Sequence, residues 1–422
     1  MINHAKFKIC VIGLGYVGLP LVIEFSKKFK VIGYDVNSKR VESLNKNIDY
    51  NNETISKITN NNLKITDKTK DIKSCNFYII AVPTPINKNN KPNILMLKRA
   101  ARLVGSVIKK NDIVVVESTV YPGCTRNDCI PIISKHSNLV PEKDFHFGYS
   151  PERINPGDKE HTLKNIKKVI SGSNKFTISK LKLVYGSIIQ AGLHIAPSIE
   201  IAEAAKVIEN TQRDLNIAFM NELSVIFNNL NISTKDVLKA SSTKWNFLKF
   251  EPGLVGGHCI GVDPYYLSYI SEANGYKPKF LISGRKINNS MPKIICKKII
   301  NISKEKNIKS NVLILGLTFK KNVNDLRNSK VFEIFNILKN ENKNISLYDP
   351  LVQKNELEKK YHKYFLNKKP KNISKFSIII FAVAHKDLLS YYPKKLYESY
   401  SKNNLIVDLT LKLNKNFVNI GF

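Results

Sequence analysis

The run Lys8-Ile9-Cys10-Val11-Ile12-Gly13-Leu14-Gly15-Tyr16-Val17-Gly18 decides the fold of the first half of the chain. Its opening residues read as a short apolar strand. Three glycines at GxGxxG spacing then turn the chain into a helix that runs to about residue 28. At such a turn Gly13 makes the tight bend, Gly15 lets a pyrophosphate approach the backbone, and Gly18 lets helix and strand pack closely. Amides at the helix N-terminus face the phosphates. Asp35 stands twenty residues after Gly15, at the end of a second strand over 31–34. A carboxylate there accepts hydrogen bonds from ribose hydroxyls and repels a 2′-phosphate, so NAD is expected over NADP. Arg40, five residues on, is a weaker pull toward NADP. The plain alternative is a packing turn with an acid nearby by chance, and the full pattern outweighs it.

Further apolar strands are expected at 77–82 and 113–116, and the strand–helix alternation predicts a parallel sheet flanked by helices. Two loops fall at carboxyl ends of these strands, where open α/β sheets bind ligands. They are Val82-Pro83-Thr84-Pro85 and Glu117-Ser118-Thr119-Val120. Either can also be a simple strand-ending turn. Residues 199 to about 230 hold no Gly or Pro and read as one long helix, with Ile201, Ala205, Ile208, Leu215, Phe219 and Leu223 recurring mostly at helical steps. Strands at 311–315, 345–348, 376–383 and 405–409 then form a second α/β unit of about one hundred residues, an ordinary domain size. No sequence repeat of the first unit is visible, only the same architecture.

Composition bounds the rest. The chain has 422 residues, too many for one ordinary domain, and its 43% hydrophobic content supports real cores. The formal net charge is +33. That excess invites a nucleic-acid partner, but the cations are scattered and no nucleic-acid-binding signature occurs. An anionic substrate and a Lys-, Asn- and Ile-rich composition are the competing accounts. The six cysteines are sparse and form no CxxC pair, which fits a reducing cytoplasm and excludes a disulfide framework. The apolar run 9–23 mimics a leader but lacks a small-residue cleavage site. No stretch is long enough to span a membrane. No metal is expected.

The segment Gly253-Leu254-Val255-Gly256-Gly257-His258-Cys259-Ile260-Gly261-Val262-Asp263 holds four glycines in nine residues. Such a loop lets backbone amides approach a ligand. A thiolate at Cys259 is a strong nucleophile toward an aldehyde, and Asp263 is placed to orient a water. A lone Cys is more often a small buried hydrophobe; the glycine setting reverses that preference. His258 is expected to be a packing neighbour. On the long helix, Glu203, Lys206 and Asn210 share a face, and Lys beside Asn suits a developing oxyanion.

Taken with residues 13–18, 82–85, 117–123, Ser150-Pro151-Glu152-Arg153, Ala205-Lys206 through Glu222, 256–263, and Phe319-Lys320 through Arg327, the chain resembles the nucleotide-sugar 6-dehydrogenases of the UDP-glucose/GDP-mannose dehydrogenase superfamily. The resemblance implies an α/β fold with two Rossmann-like, doubly wound parallel-sheet domains joined by a long central helix and a small helical domain. These are an NAD-binding domain at 1–196, a central helical domain at 197–305 and a UDP-sugar domain at 306–422. It implies two successive oxidations of the sugar C6 alcohol to a carboxylate. Cys259 matches the nucleophile that forms a thiohemiacetal and then a thioester. Lys206 and Asn210 match the groups at the C6 oxygen, and Glu152, Thr119 and Asp263 those around the hydrolytic water. Lys320 and Arg327 match basic contacts near the phosphates. The implied NAD contacts are Gly13, Gly15, Tyr16, Val17, Gly18, Asp35, Arg40, Pro83, Thr84, Ser118, Thr119 and Arg327. The implied substrate contacts are Glu152, Arg153, Lys206, Asn210, Phe250, Gly253, Gly256, Gly257, Phe319 and Lys320. Where the UDP-glucose branch has Cys-Phe-Pro-Lys-Asp, this chain has Cys259-Ile260-Gly261-Val262-Asp263. That form, residues 150–158 and Trp245-Asn246-Phe247 resemble the enzymes that oxidise UDP-N-acetylhexosamines for surface polysaccharides. UDP-N-acetylglucosamine is the expected substrate, with the manno and galacto epimers or UDP-glucose as alternatives. A cytoplasmic homodimer or larger homo-oligomer is expected, with no nucleic acid and no membrane. A hydroxyacid dehydrogenase and a non-catalytic nucleotide-sugar sensor are the competing classes. The former needs neither the cysteine nor the second unit, and the intact Cys259, Lys206, Asn210 and Asp263 argue against the latter.

Overall fold

A computed structural model describes residues 7–49, 58, 60–154, 160–341, 343–398, 404–414, 416 and 418–421. Residues 155–158 of the expected substrate-branch motif lie outside them. The chain divides into two compact units, Met1–Glu209 with Tyr265–Lys277, and Asn210–Pro264 with Pro278–Phe422.

Among the described residues the first unit is built on eight strands: β1 (Lys8–Ile12), β2 (Lys30–Tyr34), β3 (Leu63–Thr66), β4 (Phe77–Ile80), β5 (Ile113–Val116), β6 (His146–Tyr149), β7 (Lys168–Gly172) and β8 (Leu193–Ile195). Their order is β3-β2-β1-β4-β5-β6-β7-β8. The first six follow the doubly wound dinucleotide-binding order. Strands β4 and β5 (FYII and IVVV) are buried along their whole length, as expected of central strands covered on both faces. The parallel expectation holds from β3 to β6, but β7 runs antiparallel to β6.

The second unit carries β9 (Asn311–Leu315), β10 (Asn344–Tyr348), β11 (Ile378–Phe381), β12 (Leu405–Asp408) and β13 (Ile420–Gly421), in the order β10-β9-β11-β12-β13. All its pairings are parallel. Side chains alternate between its faces. Val312, Ile314, Ile378 and Ile380 join one core, and Leu313, Leu315, Ile379 and Phe381 the other.

The long helix spans Ile199–Asn229. Its apolar repeat marks a buried face only in part. Ile201, Ile208 and Phe219 are each at least half exposed, while Glu203, Asp214 and Asn221 are fully buried. Polar side chains on the covered side find partners there, so these three face outward, while Ala205, Leu215 and Leu223 are partly covered. Among the described residues no helix is long and apolar enough to cross a membrane.

Candidate active site

In the first unit the glycine turn does what its spacing requires. Gly13 has φ +95°, and a Cβ on it would lie 2.8 Å from the Ala81 carbonyl oxygen. A Cβ on Gly18 would lie 1.8 Å from the Gly13 oxygen, whereas one on Gly15 would meet nothing within 4 Å. The turn is therefore closed on its protein side and open at Gly15. The helix Gly18–Ser26 starts with Val17 at its N-cap, and Tyr16 packs on the core. Asp35 accepts from the N–H of Leu14 at 2.8 Å and of Asn37 at 2.9 Å, which fixes its carboxylate beside the turn. Arg40 is directed at the protein: its Nε and Nη2 donate to the Leu14 carbonyl at 3.1 Å, and Nη1 pairs with Asp49 at 2.6 Å. It braces the glycine turn rather than standing as an open cation.

The loops after β4 and β5 are tied together. Ser118 Oγ donates to the Val82 carbonyl and Thr84 Oγ1 to the Thr119 carbonyl, both at 2.7 Å, beside Pro83. The Tyr266 hydroxyl donates to the Thr84 carbonyl. Glu203 is not a solvated member of a helix face. It is buried and accepts from the N–H groups of Gly123 (2.5 Å) and Thr125 (2.9 Å). Burial pushes its carboxyl up to about 7, against the lowering effect of those bonds. Glu152 accepts from the N–H groups of Arg153 and Ile154 at 2.6 and 2.7 Å. Arg153 pairs with Glu209 at 2.8 Å. Lys206 belongs to this unit, on the long helix.

In the second unit, Cys259 alone among the six cysteines is not buried. Its carbonyl accepts from Val262 and Asp263 N–H at 2.9 Å each, a tight turn into the helix Asp263–Ala273. Asn210 Nδ2 donates to Asp263 Oδ2 at 2.6 Å, joining two predicted site residues. Of the loop glycines, Gly256 and Gly257 serve packing: added Cβ atoms would lie 2.6 Å from the Asn328 oxygen and 2.8 Å from the Phe319 ring. Gly253 is clamped by Asn221, which accepts from its N–H at 2.9 Å and donates to its carbonyl at 3.0 Å. Asn221 continues to Asn288, Asp214 and Arg285, a buried polar chain the sequence did not reveal. His258 Nδ1 lies 3.7 Å from Asp325. Arg327, expected at the cofactor, folds back on Asp325 at 2.6 Å.

A cleft of about 240 Å³ opens between the ends of β9 and β11, the point where the strand order reverses. Such switch points are where α/β sheets take ligands. Gly253 and Gly256 line it beside Phe319, Lys320, Lys321, Lys330 and Lys412. Its acid, Glu251, lies 3.0 Å from Lys412. The site favours an anion, and three of those lysines carry no motif. Phe250 is half-buried just before this stretch.

An open dinucleotide turn in one unit, a basic switch-point cleft in the other and an accessible thiol in a glycine loop define an NAD-dependent oxidoreductase with a second nucleotide site. The chain belongs to the UDP-glucose/GDP-mannose dehydrogenase family: the family's NAD binding domain matches residues 7–189, its central domain 200–290 and its UDP binding domain 313–415. It is 48% identical to Protein CapL of Staphylococcus aureus, over 98% of each chain. It is 49% identical to a UDP-N-acetyl-D-glucosamine 6-dehydrogenase of Salmonella typhi, over 91% of each. Among solved structures, a UDP-D-ManNAc dehydrogenase from Pyrococcus horikoshii superposes with a TM-score of 0.86 at 26% identity, covering 98% of each chain.

Proposed function

We propose that this chain oxidises the C6 alcohol of a UDP-N-acetylhexosamine, with UDP-N-acetyl-D-glucosamine as its substrate, to the uronic acid through covalent Cys259 intermediates. The observation that carries the reading is Cys259 itself, the one unburied thiol, set in a glycine loop beside the Asn210–Asp263 pair. The nearly half-identical UDP-N-acetyl-D-glucosamine 6-dehydrogenase supports the gluco epimer over the manno epimer of the more distant structural relative.

Bound NAD supplies the hydride acceptor for each of two oxidations; Gly13, Gly15, Gly18 and Asp35 are the residues that would hold it. Lys206, or a water it holds, takes the C6 hydroxyl proton in the first. The Cys259 thiolate adds to the aldehyde carbon, and the resulting thiohemiacetal loses the second hydride to become a thioester. Water then adds at the thioester carbon, a step assigned to Glu152, Thr119 and Asp263, the C–S bond breaks, and the thiol returns with the acid as product. Asn210 donates to the developing oxyanion. The cleft lysines 320, 321 and 330 neutralise the diphosphate. The outward stripe Ile201, Ile208 and Phe219 supports a homodimer.

The test is stoichiometry and trapping with purified protein. Wild type is expected to form about two NADH per UDP-N-acetyl-D-glucosamine, one hydride per acceptor. Cys259→Ser is expected to lose acid formation by more than about 1,000-fold while still binding NADH, the loss expected of removing a covalent nucleophile. A ratio near one, or full turnover by the serine variant, would overturn the mechanism. A higher kcat/KM for the manno, galacto or UDP-glucose substrate would reassign the sugar alone.

A further inference from the structure

Behind Glu152 lies a buried charge system centred on Lys168, a residue outside every motif quoted above. Lys168, the first residue of β7, has its Nζ 2.7 Å from Glu117 Oε2 and 3.5 Å from Glu152 Oε2. The three side chains are 3%, 0% and 8% exposed. Tyr185, from the helix Lys175–Gly186, donates to the other Glu117 oxygen at 2.5 Å, and its ring lies under the Lys168 ammonium. The second Glu152 oxygen is occupied by the backbone N–H groups of its own loop. The neighbouring Arg153 is committed to Glu209 and to the Lys167 carbonyl. Ser150 lies between these elements and donates to the Val169 carbonyl.

Among the described residues one ammonium thus serves two carboxylates. Burial opposes the Lys168 charge, but Glu117 and Glu152 outweigh it and hold the ammonium above its usual range. Burial also raises Glu117. The two glutamates stand on different loops. Glu117 precedes Ser118 and Thr119 at the end of β5, and Glu152 follows β6.

We propose that Lys168, with Glu117 behind it, is a positioning pair that fixes the orientation of the Glu152 carboxylate for thioester hydrolysis. This rests on the role of Glu152 given above. The bridge ties the Thr119 loop to the Glu152 loop, so that one buried cation holds both loops in place. Its signature is a selective slowing of hydrolysis while substrate and cofactor binding are kept.

The experiment is single-turnover formation of the uronic acid from UDP-N-acetyl-D-glucosamine and NAD, with the Cys259 acyl adduct followed by intact mass, in Lys168→Met, Glu117→Gln and Glu152→Gln. Lys168→Met is expected to slow hydrolysis by about 30-fold and to accumulate the adduct, and Glu117→Gln to slow it by about tenfold. KM for both substrates should stay within about threefold, because neither residue is assigned a substrate contact. Hydrolysis at the wild-type rate in both variants, or a rise in KM in step with the loss of rate, would overturn the proposal. Should Lys168→Met fail to fold by thermal melt, the rate, KM and adduct of Glu117→Gln decide alone. Glu152→Gln is expected to accumulate the same adduct. Normal hydrolysis by that variant would remove the role of Glu152, and the Lys168 proposal with it. Loss of hydrolysis in Glu152→Gln with normal hydrolysis in the other two would remove the Lys168 proposal alone.

Discussion

The two units begin on the same device and finish it differently. Gly13 and Gly316 have φ +95° and +90°, and their N–H groups donate to the Tyr34 and Tyr348 carbonyls at 2.8 and 2.9 Å. The next residue in each, Leu14 or Leu317, donates its N–H to an aspartate at the end of the neighbouring strand, Asp35 at 2.8 Å or Asp349 at 2.6 Å. Beyond that point they part. After Gly13 a helix begins at once and Gly15 looks onto open space. After Gly316 no helix starts until Val331. Asp349 is buried, and the atom that takes the Leu317 N–H also lies 3.1 Å from His385 Nε2, whose Nδ1 accepts from Asn322 N–H at 2.9 Å. The accepting Nδ1 places the ring proton on Nε2, so the imidazole donates to Asp349. The same turn thus offers a reachable carboxylate in one unit and a locked one in the other. A locked carboxylate cannot read a ribose, and on the function proposed above recognition in the second unit passes to the lysines of the cleft.

Substitutions at the turns should break the comparison hardest. Gly18→Ala forces a Cβ onto the Gly13 oxygen, and Gly316→Ala forces one to 2.6 Å from Val383 Cβ. The first is expected to weaken NADH binding by more than about 100-fold, near 3 kcal/mol, and leave UDP binding within about threefold; the second should do the reverse. Titration calorimetry with each ligand reads this directly. Loss of both ligands in either variant would mean the turns are not independent. Next come the aspartates. Asp35→Asn is expected to lower NAD affinity about tenfold and narrow the preference over NADP. Asp349→Asn is expected to leave NADH affinity unchanged and cost about 2–3 kcal/mol of stability, since it breaks a buried bonded group. Equal effects on NADH from both would erase the distinction between reachable and locked.

The smallest effect concerns Glu203, the buried acid that holds the turn at Gly123 and Thr125 in the first unit. Its folded-state value, pushed up to about 7, lies above the ordinary 4.5. Its contribution to stability is therefore full below about pH 4.5 and fades as pH rises through 7. Glu203→Gln removes that titration, so the Tm difference between wild type and variant should change across this window and be flat above it. A constant difference from pH 4.5 to 8 would show that Glu203 does not titrate there.

What could be read beforehand follows from range. Strands at 8–12, 113–116 and 311–315 match the structure because each is a continuous apolar run. Those at 77–82 and 376–383 end early, at Ile80 and Phe381, because apolar residues continue into the loops after the ladder stops. The short, mixed β6, β7 and β8 gave no signal. Neither did the helix Lys279–Glu305, whose Gly284 and Pro292 hide its period; Gly284 is there because a Cβ would strike Leu215 Cδ2 at 2.4 Å. The turn repeat was also in view, as Gly316-Leu317 and Tyr348-Asp349 echo Gly13-Leu14 and Tyr34-Asp35, but two residues at a time are too few to stand out. Cys259 was legible because glycine density is a local property. Glu117 and Lys168 were not, because their meaning lies in a pairing across 51 residues.

The hydrogen bond from Tyr266 to Thr84 spans 182 positions of the chain. Tyr266 and Tyr269 also pack on Tyr121, at ring-centroid distances of 6.4 and 5.2 Å. During synthesis the sheet of the first unit is complete once Ile195 has emerged, and it can begin to fold then. The tyrosines that brace its Thr84 loop arrive only after the ribosome has passed Cys259. The cofactor half of this enzyme is therefore finished late, by a segment that leaves the ribosome just behind Cys259.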